Sequence, residues 1–428
     1  MELKKYKLGE IINVARGASL SGEFYATEGK YIRLTCGNFD YLNNCFKENK
    51  SKDNLYYVGD FKPEFLMEEG DIITPLTEHA IGLLGSTAII PESGKYVQSQ
   101  DVAKIVCKEN LLDKDFAFYL ISSNVVKQQL SAAAQQTKIR HTSPDKIKDC
   151  IVWIPELTEQ KRMGKLLRTL DSKNELNRAI NQNLEAMAKQ LYDYWFVQFD
   201  FPGENGRSYK SSGGKMVWNE KLKRDIPISW ETKLIDDVAE IYNGATPSTI
   251  NELNYGGDIV WITPKDLSDQ KQKFVYKGER NISQVGYDSC STHLLPSNTI
   301  LMSSRAPIGL LAIAKTELCT NQGFKSFVPK SGNTAIYLYY YLQHHIRQVE
   351  QLGTGTTFKE VSREDILKFP ILKPSDNVLD LWEEMVSPLN DRQLEIQKEN
   401  ESLTKQRNEL LPLLMNGQVL VNSDLSDD

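Results

Sequence analysis

One tetrapeptide occurs twice in this 428-residue chain, as Ile81-Gly82-Leu83-Leu84 and again 227 positions later as Ile308-Gly309-Leu310-Leu311. Other short motifs recur around it in the same order. The matched motifs are Gly17-Ala18-Ser19 with Gly244-Ala245-Thr246, Thr35 with Thr263, and Ser143-Pro144 with Ser362-Arg363. Ordered matches across half of a chain indicate a tandem duplication, so we expect two domains that fold alike.

Each copy begins with a body of mixed character. Short β-type runs, such as Ile72-Ile73 and Asn298–Met302, are separated by Gly, Pro and Asn. A helical stretch follows, over Asp113–Ala134 in the first copy and over Asn333–Leu352 in the second. The pattern predicts two α+β domains. The predicted N-caps of the next helices are Ser143, before Pro144, and Ser362, three residues before Asp365.

Each copy ends in a stretch whose residues repeat every seven positions. The repeated residues are Leu170, Asn177, Leu184 and Leu191 in the first tail and Leu389, Ile396, Leu403 and Leu410 in the second. We expect two long helices that pair within the chain, with Asn177 fixing the register. Ile180, Met187 and Tyr194 are the predicted second apolar position of the first tail. The alternative is a single amphipathic helix on each domain.

The first tail is predicted to be helical from Glu159 to Phe196. At about 1.5 Å per residue its 38 residues would span about 57 Å. That length is enough to hold two domains well apart.

The charge is unevenly distributed. The chain has 51 basic and 57 acidic residues, a net charge of −6, but residues 376–428 hold 12 acidic and 4 basic residues. Residues 1–375 therefore carry a net charge of +2. A weakly basic body is compatible with a local nucleic-acid footprint but does not require one.

The common signatures of enzymes are absent from the sequence. There is no P-loop and no Gly-x-Gly-x-x-Gly fingerprint, and the five histidines and six cysteines lack zinc-site spacing. One string, Asp145 with Glu159 and Lys161, matches a metal-nuclease pattern. Such nucleases need both carboxylates at strand ends, whereas here Asp145 follows a helix cap and Glu159 opens a helix.

Scattered cysteines argue against a disulfide framework and favour the reducing cytosol. No window of the sequence approaches the ~18 apolar residues that a membrane helix needs. We therefore expect a cytoplasmic protein with no membrane role.

The segment after the first long helix is the most distinctive. Residues Leu191–Pro202, followed by Gly213–Met216 and Ile226–Trp230, resemble the central region of the specificity subunit of type I restriction–modification systems. In the second copy, three motifs are similar to that family's second target-recognition domain. These are Trp261–Asp266, Ser304–Gly309 and Thr320–Gly323.

The resemblance implies an α+β fold with two pseudo-symmetric target-recognition domains separated by two long helices that form an antiparallel coiled coil. The expected boundaries are 1–155 for the first domain and 156–200 for the first long helix. Residues 201–375 would hold a linker and the second domain, and residues 376–428 the second long helix and an acidic tail.

The resemblance also implies a function. Such a subunit is not catalytic; each domain reads half of a split site in double-stranded DNA. The helices set the spacer and dock two methyltransferase subunits. No cofactor is expected on this chain, because S-adenosylmethionine would come with the methyltransferases and ATP and magnesium with the restriction subunits.

Polar and basic residues in loops are the candidate DNA contacts. In the second copy they are Lys265, Arg305, Asn321, Gln322, Lys325, Thr354, Thr356, Thr357 and Lys359. In the first copy they are Lys30, Arg33, Gln98, Gln100, Gln135, Gln136, Lys138, Arg140 and His141. The copies differ at one motif: aligned on Ile81-Gly82, the first has Glu78-His79-Ala80 where the second has Arg305-Ala306-Pro307.

Overall fold

The computed structural model describes residues 2–41, 43–49, 53–78, 82–133, 140–203, 206–270, 272–354 and 359–421. The chain forms two compact units. The first unit consists of residues 1–176 and 400–428, and the second consists of residues 177–399. Each unit mixes helix and strand, which confirms the predicted α+β class.

The first unit is built on two four-stranded sheets. One has the strand order Ala88–Ile89, Ile72–Pro75, Val102–Cys107, Ile12–Arg16, and the other Tyr96–Val97, Tyr31–Arg33, Tyr56–Tyr57, Tyr25–Ala26. Three strand pairs complete the unit. They are Lys4–Lys7 with Ile151–Ile154, Thr77–Glu78 with Arg140–His141, and Phe39–Asp40 with Cys45–Phe46.

The second unit repeats this plan. Its five-stranded sheet has the order Ala239–Asn243, Phe324–Pro329, Ile300–Ser303, Leu311–Ala314, Phe274–Val275, and its three-stranded sheet has Arg280–Ile282, Tyr255–Ile262, Cys319–Thr320. Its strand pairs are Glu231–Leu234 with Pro370–Lys373 and Met216–Asn219 with Arg224–Pro227. In both units the central strand, Val102–Cys107 or Phe324–Pro329, lies between equivalent neighbours. The sheets therefore confirm the duplication.

Short helices cover these sheets. In the first unit they are Leu8–Ile11, Lys114–Ile121, Asn124–Ala133 and Pro144–Lys148; in the second they are Ile235–Val238, Pro264–Gln270, Gln284–Asp288, Ala335–His344, Ile346–Gln351 and Arg363–Leu367. Ser143 accepts a hydrogen bond from the Lys146 N–H and Ser362 from the Asp365 N–H, so both predicted N-caps are confirmed. Each predicted body helix is divided into two, at Ser122-Ser123 and at His345.

The first long helix covers Leu157–Tyr192, continued by a π-helical turn over Asp193–Val197, and the second covers Asp376–Met415. Residues that contact each other across the two helices follow in reverse order of number. In the first unit Asp171 meets Arg407. In the second unit Asn177 Nδ2 donates to Glu399 Oε2 (2.9 Å) and Gln393 Nε2 to the Asn181 carbonyl (3.2 Å). Residue numbers rise along one helix as they fall along the other, so the pair is antiparallel.

The predicted heptad residues lie on the packed side of the helices. Asn177, Ile396 and Leu403 are buried, whereas Leu170, Leu184, Leu191, Leu389 and Leu410 are half-buried. The predicted second position is wrong, because Met187 and Tyr194 are exposed. The structure buries or half-buries residues one place further along, which are mostly polar: Asn174, Asn181 and Ala188 in the first helix and Gln393, Asn400 and Arg407 in the second.

A buried polar cluster links the body of the first unit to both helices. Asp171 accepts a hydrogen bond from the Tyr119 hydroxyl (2.6 Å) and one from Arg407 Nη1 (2.8 Å). Arg407 also donates to the Asn43 carbonyl (3.1 Å). Burial, together with the Asp171 carboxylate, raises the pKa of Tyr119 well above its ordinary value, so Tyr119 acts as a donor at neutral pH.

The second unit has a cluster at the corresponding place, centred on Lys273. Its ammonium contacts Glu185 Oε2 (2.9 Å), the Tyr340 hydroxyl (2.6 Å), Asn390 Oδ1 (2.7 Å) and Gln393 Oε1 (3.2 Å). The side chain is only 10% exposed. Burial lowers the pKa of Lys273 to about 8, although the nearby Glu185 carboxylate opposes this shift.

This lowered pKa predicts a pH-dependent stability. The folded chain loses the Lys273 proton near pH 8, whereas the unfolded chain keeps it until about pH 10.5. The unfolded state therefore binds more protons at Lys273 between these values, so this residue should add about 2 kcal/mol to the free energy of unfolding from pH 7.5 to 9.5. Urea unfolding followed by tryptophan fluorescence reports this unit, which holds Trp195, Trp218, Trp230, Trp261 and Trp382.

Lys273→Met should lack that contribution, so its pH dependence should differ from wild type by about 2 kcal/mol, whereas the matched variant Lys221→Met, at an exposed turn, should follow wild type. An equal pH dependence in wild type and Lys273→Met would contradict the assignment.

Candidate nucleic-acid interface

In the second unit, loops at one edge of the two sheets are joined by backbone hydrogen bonds into a single surface. The bonds run from Ala245 N to Thr320 O (2.9 Å), Asn321 N to Ile262 O (3.0 Å), Ser304 N to Gly323 O (2.8 Å) and Val361 N to Ser304 O (3.0 Å). Most of the residues predicted for this copy stand on or beside these loops. The structure thus brings together segments that are up to 116 positions apart in sequence.

Two cations of this surface form ion pairs with the same carboxylate, that of Glu360. Its Oε2 atom lies 3.0 Å from Arg305 Nε and its Oε1 atom 3.2 Å from Lys325 Nζ. The Lys325 side chain is 7% exposed and that of Arg305 is 49% exposed. Arg305 is therefore the outer cation of the cluster and Lys325 the inner one.

Amide side chains form the neighbouring loop. Asn321 Oδ1 accepts the Gly323 N–H (2.9 Å), which closes a tight turn and exposes Gln322. The Gln322 side-chain oxygen accepts a hydrogen bond from the Thr246 hydroxyl. Asn321 thus shapes the loop, and Gln322 is the amide presented at the surface.

Lys265 is exposed near the start of the helix Pro264–Gln270 and pairs with Glu279 (2.9 Å). The hydrogen bond with the Glu279 carboxylate raises the pKa of Lys265, so it is a cation at every physiological pH. Thr354 and Lys359 are exposed, and Thr354 forms a backbone bridge with Glu360. Thr356 and Thr357 lie outside the described residues.

The first unit builds the same frame from its own loops. Ala18 N donates to Gln98 O (3.1 Å), Leu76 N to Asp101 O (2.8 Å) and Thr142 N to Leu76 O (2.9 Å). The turn after the parallel strand is also shared. Asn38 Oδ1 accepts the Thr35 N–H (2.9 Å), as Asp266 Oδ2 accepts the Thr263 N–H (2.7 Å).

The frame also corrects the alignment of the arginine motif. Thr77 pairs with His141, as Arg305 pairs with Glu360. Thr77, not Glu78, is therefore the equivalent of Arg305. Glu78 is buried, and its Oε1 accepts the N–H groups of Gly82 (2.7 Å) and Leu83 (2.9 Å), so it supports the loop.

Two of the candidates in the first unit are structural. Gln98 is 1% exposed, and its amide donates to the carbonyls of Ala15 (2.8 Å) and Val102 (3.0 Å). Arg33 is 9% exposed, lies 4.0 Å from the Tyr25 ring centroid and donates to the Asn54 carbonyl. Both groups are buried and make these hydrogen bonds inside the domain.

The other candidates in the first unit are more accessible. Lys30, Gln100 and His141 are exposed, and Lys30 lies over the ring of Tyr31 (4.9 Å). Arg140 is half-buried and donates to Ser131 Oγ (3.1 Å). Gln135, Gln136 and Lys138 lie outside the described residues.

The two carboxylates of the nuclease pattern form ion pairs with basic side chains on their own helices. Asp145 lies 3.4 Å from Lys148, and Glu159 lies 2.6 Å from Arg162. Within the described residues no group of three or more His, Cys, Asp or Glu side chains is placed to hold a metal ion. In the same part of the chain, every helix is too short or too polar to cross a bilayer.

Sequence reasoning missed Glu360, an acid among predicted cations. The signal for it was its spacing: Glu360 stands two residues before the N-cap Ser362, as Arg140 and His141 stand just before Ser143. In both copies, the residue two places before this N-cap lies in a strand or bridge beside the loop surface.

Comparison with known proteins gives consistent results. The family model for the type I restriction modification DNA specificity domain matches residues 1–186 and 227–402. The type I restriction enzyme MjaIX specificity subunit of Methanocaldococcus jannaschii is 38% identical over 197 residues, covering 45% of this chain and 46% of that protein. The HindI specificity subunit of Haemophilus influenzae is 25% identical over 470 aligned positions, covering 97% and 99%.

The fold is also that of a solved structure. The S subunit of a type I restriction–modification system from M. genitalium superimposes with a TM-score of 0.64 at 14% identity, covering 97% of this chain and 96% of that one. The family model covers both copies and most of the chain. The chain belongs to the family of type I restriction–modification DNA specificity subunits, which recognise DNA and are not themselves catalytic.

Proposed function

We propose that the chain binds a bipartite site in double-stranded DNA, one half through each copy, and directs adenine methylation and restriction there. One observation carries the proposal: the same loop frame occurs twice with different side chains. Where the second copy has Arg305, Lys325 and Glu360, the first has Thr77, Ala103 and His141. Two equal frames with unequal side chains are what two different half-sites require.

The side chains present have the chemistry for this task. An arginine pairs with guanine through its O6 and N7 atoms, and an amide pairs with adenine through N6 and N7. Among the candidate residues of the second copy, Arg305 is an exposed arginine and Gln322 an exposed amide. Exposed lysines such as Lys265 and Lys359 would hold phosphates and orient the domain.

The long helices are the proposed docking surface for two methyltransferase subunits. They expose apolar side chains that neither unit buries: Leu176 (61% exposed), Met187 (56%), Leu381 (40%) and Met385 (51%). Exposed apolar residues on a long helix are typical of helix-in-groove recognition. The methyltransferases would bring S-adenosylmethionine, and restriction subunits would bring ATP and magnesium.

A scaffold that docks partners without choosing a site is the competing hypothesis. Specific retention of DNA by the assembled complex separates the two. The recognition proposal is favoured by the exposed Arg305 and Gln322 on the shared loop surface, which a scaffold would not need.

Adenine-methylation mapping of the source genome, with this gene intact and deleted, is the direct test. We expect deletion to remove methylation from one split motif, two short blocks around a fixed gap, and to leave other motifs unchanged. If every motif kept its methylation after deletion, in a strain shown to express the methyltransferase, only the scaffold hypothesis would be left.

A further inference from the structure

The backbone of Glu360 is held in place by hydrogen bonds to neighbouring segments. Glu360 and Thr354 exchange two backbone hydrogen bonds of 3.0 and 3.1 Å, and Glu360 forms a bridge with Arg305. Val361, the next residue, donates to the Ser304 carbonyl (3.0 Å). Two neighbouring segments therefore hold the Glu360 backbone in place, and its carboxylate lies between the cations Arg305 and Lys325.

Each carboxylate oxygen engages a different cation. Oε2 accepts from Arg305 Nε (3.0 Å) and Oε1 from Lys325 Nζ (3.2 Å). A single negative charge thus offsets part of the charge of two cations. Phosphate attraction is a Coulombic effect, so this arrangement weakens the part of DNA binding that does not depend on sequence.

The same contact orients the arginine. A bond through Nε fixes the plane of the guanidinium and does not use its Nη1–Nη2 edge. That edge keeps two N–H donors free to pair with guanine O6 and N7. An arginine held in this way loses less conformational entropy when it meets a base.

We infer that Glu360 is a specificity-determining residue of the second copy: it positions Arg305 for a guanine edge and restrains Arg305 from binding phosphate indiscriminately. The inference rests on the proposed function. Specificity is a difference between affinities, and Glu360 raises that difference by lowering the affinity for wrong DNA.

The first copy lacks the arrangement. Its sheet register places Thr77, Ala103 and His141 where the second copy has Arg305, Lys325 and Glu360. Removing Glu360 should therefore relax recognition in only one half of the split site.

The test uses the complex of the full chain with its methyltransferase. Three DNA duplexes serve as probes: the split motif found by methylation mapping, and the same duplex with either half scrambled. Fluorescence anisotropy gives the dissociation constant of each over a range of salt concentrations. The variants are Glu360→Ala, Glu360→Gln, Arg305→Ala and the double variant Arg305→Ala/Glu360→Ala. The matched control is Glu317→Ala, which removes an exposed carboxylate from the opposite end of the same strands.

For Glu360→Ala we expect about three- to tenfold tighter binding to one of the two scrambled duplexes, the one in which the half-site read by the second copy is scrambled. The slope of log K against log salt should steepen by about 1, as for one added phosphate contact. Discrimination at that half should fall about tenfold, the effect of one base contact. Glu360→Gln, which keeps an acceptor for Nε but no charge, should retain more discrimination.

The double variant decides whether Glu360 acts through Arg305. If it does, Glu360→Ala should change discrimination little once Arg305 is absent. Unchanged discrimination and salt slope in Glu360→Ala, with wild-type complex still selecting the motif, would overturn the inference and leave the proposed function standing. A wild-type complex that binds all three duplexes equally would overturn both.

Discussion

Replacing Asp171 by alanine should lower the free energy of unfolding of the first unit by about 3–5 kcal/mol, the cost of breaking a buried ion pair. Asp171 and Arg407 are 6% and 5% exposed, and their charged atoms lie 2.8 Å apart. The variant leaves the Arg407 guanidinium buried without its carboxylate and the Tyr119 hydroxyl without its acceptor. Urea unfolding followed by circular dichroism measures the loss. Hydrogen exchange in Lys114–Ile121, the helix that carries Tyr119, assigns it to this unit.

The neighbouring exposed pair provides the control. Lys405 and Glu409 lie on the same helix, 4.0 Å apart, with side chains 76% and 65% exposed. Lys405→Ala should change stability by less than about 0.5 kcal/mol. The double variant Asp171→Leu/Arg407→Met should recover part of the loss, because two apolar groups need no partner, while the Tyr119 hydroxyl still lacks its acceptor. Equal unfolding midpoints for Asp171→Ala and Lys405→Ala would contradict the prediction.

The long helices show what heptad reasoning recovers and what it misses. The first heptad position can be identified from the sequence because Leu389, Ile396 and Leu403 are apolar. The second position is not, since the structure fills it with Asn174, Gln393 and other polar residues. Such residues are satisfied only by groups distant in sequence, as Gln393 is by Asn181 and Glu185. A one-dimensional apolar pattern does not contain that information.

The candidate interface divides in a similar way. The duplication predicted which loops correspond, and the Gly17 and Gly244 loops do occupy equivalent places. Residue type alone did not separate Gln100, which is exposed, from Gln98, whose amide is consumed inside the domain. Gln98 directly follows the strand Tyr96–Val97, whereas Gln100 lies in the turn two residues later. A shift of one residue in the sequence alignment likewise placed Glu78 opposite Arg305.

The frame itself predicts the second large effect, that Gly244→Ala should strongly reduce site-specific methylation. A Cβ on Gly244 would lie 2.1 Å from the Asn321 carbonyl oxygen and 2.3 Å from that of Thr320. Both are backbone atoms, so the loop that presents Gln322 has to move. A shift of about 1 Å in such a loop is enough to lose a base contact. We expect at least a tenfold loss of methylation at the split motif, measured with the purified complex.

Gly332→Ala is the matched control for this substitution. Its added Cβ meets nothing within 4 Å, so methylation should be unchanged. Gly17→Ala, whose Cβ would lie 2.3 Å from the Ser99 carbonyl oxygen, should impair the other half of the site by the same mechanism. The two variants should therefore lose discrimination in different halves when each half is scrambled in turn. If both lost it in the same half, or if Gly244→Ala methylated normally, these loops would not be the two reading surfaces.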